Sequence, residues 1–428
     1  MSILRRGISI QEESMKKFLT MVLLMASALG GFGQEGRLDL KQLVHSALER
    51  NPRIKSFQRQ AEAQKFRIAP EGALPDPVIG LSLKNMGLDR LTVGEEVMSG
   101  VGVSMSQMIP FPGKLRLKSE MASKRALQSE QGLRLAHLSL IREVKDLYAK
   151  IFYYEKALAL LERKRGILEN ALKLAEVKYS LGKGSQSDIF KAQVEISGIQ
   201  EMKLSMDQML QASRANINSL LDLPAENPLG HPQEIPFYEL KLSLEELKEA
   251  ALKNSPAIKE AELMVEENQV GVKMARKEFY PNFMLQAGKD FKGRLMDMYE
   301  VMVGVEIPLY YKKKQAKLLE ESLAKLESSK NDSSSMKNEV GFMLNENFLM
   351  ARTAGNLVRL YRERIIPQAS LALESSLANY QVDKVDFLML LSDISSLVSF
   401  EMESVKNLAA LWSSTAKIEE LTSLEILK

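Results

Sequence analysis

The sequence contains no cysteine. That excludes disulfides, a thiol nucleophile, a cysteine-based zinc or iron–sulfur centre, and a lipid anchor carried on cysteine. Histidine is nearly as scarce. His45, His137 and His231 stand far apart, without the paired spacing that a zinc site uses. A charge excess is missing too. The 58 Lys and Arg residues face 55 Asp and Glu, a net charge of +3, which offers no clustered basic surplus for a nucleic-acid partner. No GxSxG, P-loop or HExxH motif occurs, so neither an enzyme's constellation nor a cofactor nor a metal centre is expected. Apolar runs of the ~20 residues that a membrane helix needs are also absent.

The start of the chain carries an address. Met15-Lys16-Lys17 precedes an apolar run over 18–29, followed by Gly30-Gly31-Phe32-Gly33. A positive segment, a short apolar segment and small residues near a cut site describe a secretory signal peptide. Residues 1–14 read as an upstream extension. The expected division is a leader over 1–33 and an exported mature chain.

The mature chain repeats one plan. Leu38-Asp39-Leu40-Lys41-Gln42-Leu43 matches Leu242-Ser243-Leu244-Glu245-Glu246-Leu247, and Ala47/Ala251, Leu48/Leu252, Pro52/Pro256, Ile54/Ile258 and Pro77/Pro281 keep the offset of 204. Ile109-Pro110 corresponds to Ile307-Pro308, and Tyr179 to Tyr380, at slightly smaller offsets. Self-similarity on this scale marks a tandem duplication. The expected boundaries are a first repeat over 34–222, a Pro/Gly-rich linker over 223–237 and a second repeat over 238–428.

Each repeat reads as helix, helix, strand, strand, very long helix, turn, long helix. Helices are expected over 38–50 and 52–69, with Pro70, Pro75 and Pro77 ending the helical section. Strands are expected near 78–86 and 98–109, with a turn near 87–94. In the second repeat Tyr299, Val301, Val303, Val305 and Ile307 alternate with Glu300, Met302, Gly304 and Glu306, the period-two pattern of a strand with one apolar face. A turn near 288–293 precedes it. Residues 114–177 contain no proline and little glycine, so a helix over 114–179 on the order of 100 Å is predicted. Residues 312–380 form a second such stretch, interrupted by Gly341, Gly355 and Pro367. In the first stretch Ile151, Tyr154, Leu158, Leu161, Leu168, Leu172, Ala175 and Tyr179 follow heptad spacing, with Arg165 in the skipped slot, which predicts coiled-coil packing. Return helices are expected over 188–221 and 386–421.

Four strands with one apolar and one polar face cannot close a pore by themselves. Three chains would supply 12 strands, an even-numbered closed barrel without the open edges that hydrocarbon does not tolerate. The fold class expected is therefore mainly α with a small β part: a long coiled-coil α-helical barrel, plus four strands per chain contributing to a 12-stranded trimeric transmembrane β-barrel. The 23 methionines raise soft-metal chemistry, since thioethers bind Cu(I). Met105 and Met108 point to opposite strand faces, so packing or lipid contact is the reading for them and for Met98.

The residues that carry a resemblance are the tandem plan, the corner segments and two strand ends. Ala73-Leu74-Pro75-Asp76-Pro77 with Gln107-Met108-Ile109-Pro110-Phe111-Pro112-Gly113-Lys114, and Val305-Glu306-Ile307-Pro308-Leu309-Tyr310-Tyr311-Lys312, resemble the TolC family of outer-membrane efflux proteins and within it the CusC/CzcC-like heavy-metal subgroup. The resemblance implies a homotrimeric exit duct in the outer membrane of a Gram-negative-type cell, with its helical barrel in the periplasm. The implied partners are a periplasmic membrane-fusion adaptor, an inner-membrane pump of the RND type and outer-membrane lipid, and the implied cargo is metal cations. A multidrug or type I secretion duct is the alternative within the class. A periplasmic coiled-coil adaptor or structural protein is the alternative outside it; the adaptor would have one hairpin plus a lipoyl-like β domain, and a structural coiled coil would not need the period-two strands.

Two groups of residues carry the expected chemistry. The helix–turn–helix corners at Tyr179, Gly182, Gly184, Ser187 and Asp188, and at Tyr380, Asp383 and Leu388, correspond to the family's periplasmic tip, where adaptors dock. Glycines permit the first reversal, and Ser187 or Asp188 is positioned to cap the next helix. Asp383 stands where the family usually has glycine. Some relatives have acidic residues at the positions of Met389 and Ser392; here Asp386 and Asp393 are the nearby carboxylates for gating. The strand–helix junction is Pro110-Phe111-Pro112-Gly113-Lys114 with Pro308. There Lys114, Arg116, Lys118, Lys312, Lys313 and Lys314 are expected to reach lipid head groups.

Overall fold

The computed structural model describes residues 36–86, 93 and 95–427. The expected leader and most of the expected 87–94 turn lie outside them. The elements in order are β1 (Arg37–Leu38), α1 (Leu40–Arg50), α2 (Pro52–Gly72), β2 (Val78–Lys84), β3 (Gly100–Ile109), α3 (Lys114–Ser180), α4 (Gln186–Leu220), β4 (His231–Pro232), α5 (Leu244–Asn254), α6 (Pro256–Lys277), β5 (Asn282–Phe291), β6 (Met298–Glu306), α7 (Gln315–Leu360), a π-turn (Tyr361–Ile365), α8 (Ile366–Gln381) and α9 (Phe387–Thr422). The chain is mostly helical with few strands, as its patterning predicts. Among the described residues, no helix is long and apolar enough to cross a membrane.

Several expected boundaries move. Pro70 lies inside α2, in its last turn, so the helical section ends at Gly72. Gly341 and Gly355 lie inside α7 without interrupting it. Pro367 is met by the π-turn directly before it; the wider turn relieves the clash of a proline ring with the carbonyl four residues back. Lys312, Lys313 and Lys314 lie in a turn ahead of α7. β5 runs through Gly288 to Phe291, so the reversal follows it, with Gly293 at φ +62°.

The chain divides into two compact units, each drawing on both halves of the sequence. One comprises residues 1–54, 137–251 and 343–428. Its helices bury Leu161, Leu168, Ala171, Ala175, Ala192, Ile199, Tyr380, Phe387, Leu390 and Ile394 in one cluster. On α3 from Ala157 onward the buried positions are Ala157, Leu161, Lys164, Leu168, Ala171, Ala175 and Lys178, an unbroken alternation of four and three. Apolar content alone gave the expected seam, so Leu158, Leu172 and Tyr179 were placed on it one residue from the buried positions. The true seam includes two lysines.

The linker is strapped down. β4 pairs in parallel with β1. The Gln233 amide donates to the Tyr148 hydroxyl at 2.8 Å, and that hydroxyl donates to the Leu38 carbonyl at 3.2 Å. Asn218 Nδ2 reaches the Ala225 and Asn227 carbonyls at 3.0 and 2.8 Å.

The other unit comprises residues 55–136 and 252–342. It holds a four-stranded antiparallel sheet in the order β2-β3-β5-β6. The register puts Ile79, Leu81 and Leu83 on the same face as Val101, Val103 and Met105, then Leu285, Ala287 and Phe291, then Tyr299, Val301, Val303 and Val305. Ile79, Leu81, Tyr299 and Val301 are each about three-quarters exposed. The opposite face carries Gly80, Ser82, Gly102, Ser104, Ser106, Gln286, Gly288 and Gly304. On it, Lys84 Nζ bonds Asp290 at 2.7 Å and Glu300 at 3.1 Å, spanning the sheet.

Candidate functional site

The two corners share one backbone design. After α3 the Lys183 amide returns to the Lys178 carbonyl at 2.8 Å, and Gly182 between them has φ +70°. After α8 the Lys384 amide returns to the Asn379 carbonyl at 2.9 Å, and Asp383 has φ +62°. Both are Schellman caps, in which a left-handed residue lets a downstream amide close on the helix end. Glycine accepts that conformation freely; aspartate does so at a cost on the order of 1 kcal/mol. Gly184 is needed for another reason, since a Cβ there would meet Lys178 Cβ and the Tyr179 amide nitrogen at 3.0 Å.

The caps of the return helices differ from expectation. Ser185, not Ser187 or Asp188, is the N-cap of α4; its hydroxyl accepts from the Ser187 amide at 3.1 Å. Asp188 falls in the first turn, where a carboxylate still meets the helix's positive end. Asp386 caps α9, accepting from the Met389 amide at 2.8 Å. Asp393 accepts a bond from the Ser376 hydroxyl. The two carboxylates expected to gate are thus engaged within this chain.

The aspartate in place of glycine has a partner. Lys178 Nζ donates to the Asp383 carboxylate and to the Tyr380 carbonyl, and sits 4.3 Å from the centre of the Tyr380 ring. The Tyr380 ring also packs on Phe387 with centroids 5.4 Å apart. Burial raises the Tyr380 hydroxyl to about 12, assisted by the negative charges of Asp188 and Asp383. The Lys178 bond lowers the Asp383 carboxyl below its ordinary value. Tyr179, by contrast, is half-exposed. The repeat equivalence of the two tyrosines holds in sequence, while only Tyr380 enters the core. Lys178 was missed by sequence reasoning; strict heptad counting on from Leu168, Ala171 and Ala175 would have found it.

Leu388 is exposed beside Phe190 and Val194, and together with Gln186, Lys191 and Ser392 they line an open groove of about 750 Å³ between α4 and α9.

The strand–helix junction forms a second cluster. Pro110 follows β3, where a proline removes a ladder donor. The Phe111 ring stacks on Tyr280 at 4.5 Å and 19°. Exposed Pro112 leads into Gly113 at φ +93°, and Pro308 follows β6. Lys114 does not reach outward to head groups. It is buried, and its Nζ bonds Glu278 at 3.0 Å, Asn282 Oδ1 at 2.9 Å and the Tyr280 carbonyl at 3.4 Å. Position one of α3 faces β5 here, and three oxygens replace its water. Arg116 and Lys118 are exposed, as are Lys312, Lys313 and Lys314. The half-exposed Tyr311 and largely exposed Tyr310 stand with them. Among the described residues, no group of three or more His, Asp or Glu side chains is placed to hold a metal ion.

Residues 43–222 match the family model described as outer membrane efflux protein. The efflux pump outer membrane protein TtgC and the antibiotic efflux pump outer membrane protein ArpC, both from Pseudomonas putida, are each 25% identical over 260 residues. That alignment covers 58% of this chain, and the chain spans about half (53%) the length of these relatives. Among solved structures, CusC superposes with a TM-score of 0.78 at 16% identity, over 90% of this chain and 91% of its own. VceC from Vibrio cholerae does so with 0.77 at 14% identity, over 90% and 95%. MtrE of Neisseria gonorrhoeae in its open state gives 0.68 at 18% identity, over 91% of both chains. The family match is confined to residues 43–222, and over nine-tenths of its length the chain shares the fold of these solved structures.

Proposed function

We propose that this chain is the outer-membrane channel of a tripartite efflux system. The observation that carries this reading is the four-stranded sheet: one face mostly exposed and apolar save for Lys289 and Gln107, the other rich in glycine, serine and charged groups with methionines among them, and with β2 and β6 as open edges. An apolar face of that kind suits hydrocarbon, and open edges suit closure against other copies. Three chains give a 12-stranded barrel with the polar face inward. The helices then stand in the periplasm, where the corners at Gly182 and Asp383 meet a membrane-fusion adaptor fed by an RND-type inner-membrane pump. The duct is passive. It opens when the adaptor loosens the segment from Tyr380 to Asp393, which Lys178 and Ser376 hold in the resting form.

Metal cations are the cargo favoured by the strand-end motifs around Pro110 and Pro308. A drug or solvent duct is the second reading, supported by the names of the antibiotic efflux protein ArpC and of a toluene efflux pump protein TtgC from another Pseudomonas putida strain, a further relative. Gene deletion followed by sensitivity to copper, silver, zinc, cobalt and dyes separates the two. Detergent-dependent extraction, trimer mass and conductance in a planar bilayer test the channel itself. A water-soluble monomer would overturn it.

A further inference from the structure

Methionines occupy an unexpected place in the sheet. Register puts Met108 and Met284 directly opposite each other on β3 and β5, and Met302 opposite Gln286, the next residue of β5 on the same side. All three lie on the polar face, with Ser106, Gln286 and Asn282, and away from Ile79, Leu81 and Val301. The next residue of β6 on that face is Gly304, and a Cβ built there would stand 3.2 Å from Met284 Cε. Met284 therefore lies over Gly304, toward the strand that carries Met302. Met105 is on the other face and takes no part.

Two ordinary explanations do not cover these residues. Met108 is 44% and Met302 37% exposed, so neither fills a core. The lipid-suited side chains are concentrated on the opposite face; on this one Val78 and Met298 stand at strand starts. A polar, water-facing surface gives a thioether no packing reason to be there. It does give one chemical reason: the thioether is the only neutral soft ligand among the side chains, and it favours Cu(I) and Ag(I). The spacing fits. Directly opposed strand residues have Cβ atoms about 4.5–5.5 Å apart and diagonal ones about 7–8 Å, and methionine's three torsions let its sulfur adjust. Glu306, which accepts from Asn282 Nδ2 at 2.9 Å, stands one step beyond and adds negative charge.

We propose that Met108, Met284 and Met302 form a thioether site for a soft monovalent cation, Cu(I) or Ag(I), on the polar face of the sheet. Its role as a station for cargo in the lumen rests on the channel reading; the binding site itself does not. The site discriminates by ligand softness, so Zn(II) and Co(II) pass it unbound.

The experiment uses the full chain purified in detergent and titrated with silver nitrate against a competing chelator, with bound silver counted by mass spectrometry. The variant M108L/M284L/M302L conserves volume and keeps the sheet. The control is M105L/M209L/M264L. The expected result is loss of about one tightly held silver per chain in the first variant and none in the control, with no zinc retained by either. Equal silver in both variants overturns the site. Conductance of the same preparations judges the channel separately: a conducting trimer with unchanged silver uptake sinks the site and leaves the duct. Silver loss confined to the first variant in a preparation that never conducts supports the site and removes its role in the lumen.

Discussion

Lys178 and Asp383 join the two hairpin corners: the ammonium at the end of α3 holds the carboxylate of the left-handed residue that closes α8, while lying 4.3 Å from the Tyr380 ring centre. One contact thus offsets the conformational cost of an aspartate where glycine would fit without strain. It also fastens the segment proposed to move during opening.

Substitution of Asp383 should separate these effects. Asp383→Asn keeps tolerance of φ +62° and an acceptor oxygen but loses the charge; Asp383→Ala loses all three. Hydrogen exchange over residues 376–390 should rise in the order wild type, Asn, Ala. An Ala variant as protected as wild type would show that Lys178 does not hold this corner.

The corner should weaken at both ends of the pH scale. Asp383 is depressed by Lys178, so its contribution is complete above its ordinary value of 3.8 and is lost as pH falls through the lower folded value. Tyr380 is raised to about 12 by burial, so its contribution is complete below 10.0 and is lost as pH rises toward about 12. Tyrosinate absorbance, compared with that of Tyr380→Phe, should assign the late-titrating phenol. A missing tyrosine of ordinary titration would contradict its burial.

Glu419 should be the residue on which the C-terminal segment depends. One carboxylate oxygen accepts from the Ile426 and Leu427 amides, both at 2.6 Å, and the other from Lys145 Nζ at 2.6 Å. Glu419→Ala leaves a buried ammonium with the Leu427 carbonyl alone at 3.2 Å, and should destabilise the chain by about 3–5 kcal/mol. Chemical denaturation measures the loss, and early proteolysis after residue 422 should accompany it.

The two faces of the sheet should answer oppositely to charge. Val301→Arg places a guanidinium on the face assigned to lipid and should cost about 2–4 kcal/mol per chain. Ser104→Lys, on the other face, should assemble normally and shift ion selectivity. Heat-resistant trimer on unheated gels reports the first, reversal potential the second. Similar losses from both would remove the assignment of faces.

Lys114→Met tests the junction. Lysine there is buried among Glu278, Asn282 and Tyr280, and Glu278 keeps about a third of its exposure. Removal of the ammonium should therefore cost only about 1–3 kcal/mol, below the loss expected at Glu419. Melting of the two variants side by side checks the order.

Much of the molecule was legible from local chemistry. Absent cysteine and scattered histidine removed whole classes of site. Period two marked β3 and β6, proline placed the strand ends, and the repeat of Leu38–Leu43 at Leu242–Leu247 exposed the duplicated plan. What counting apolar residues missed was polar: Lys164 and Lys178 on the buried seam, Lys114 under the strands, Ser185 as the cap. The burial of the lysines depends on partners distant in sequence, Asp383, Glu278 and Asn282 among them, and composition does not record distant partners.

By itself the sequence determined which elements form and which face of each strand repels water, since those follow from residues within a few positions of one another. Only the tertiary structure decided which faces meet. It joined Lys178 to Asp383 and drew β4 onto β1. It set Met108 beside Met284, because β3 pairs with β5 across more than 170 residues of chain, and register between distant strands is settled by packing and ladder bonds formed together.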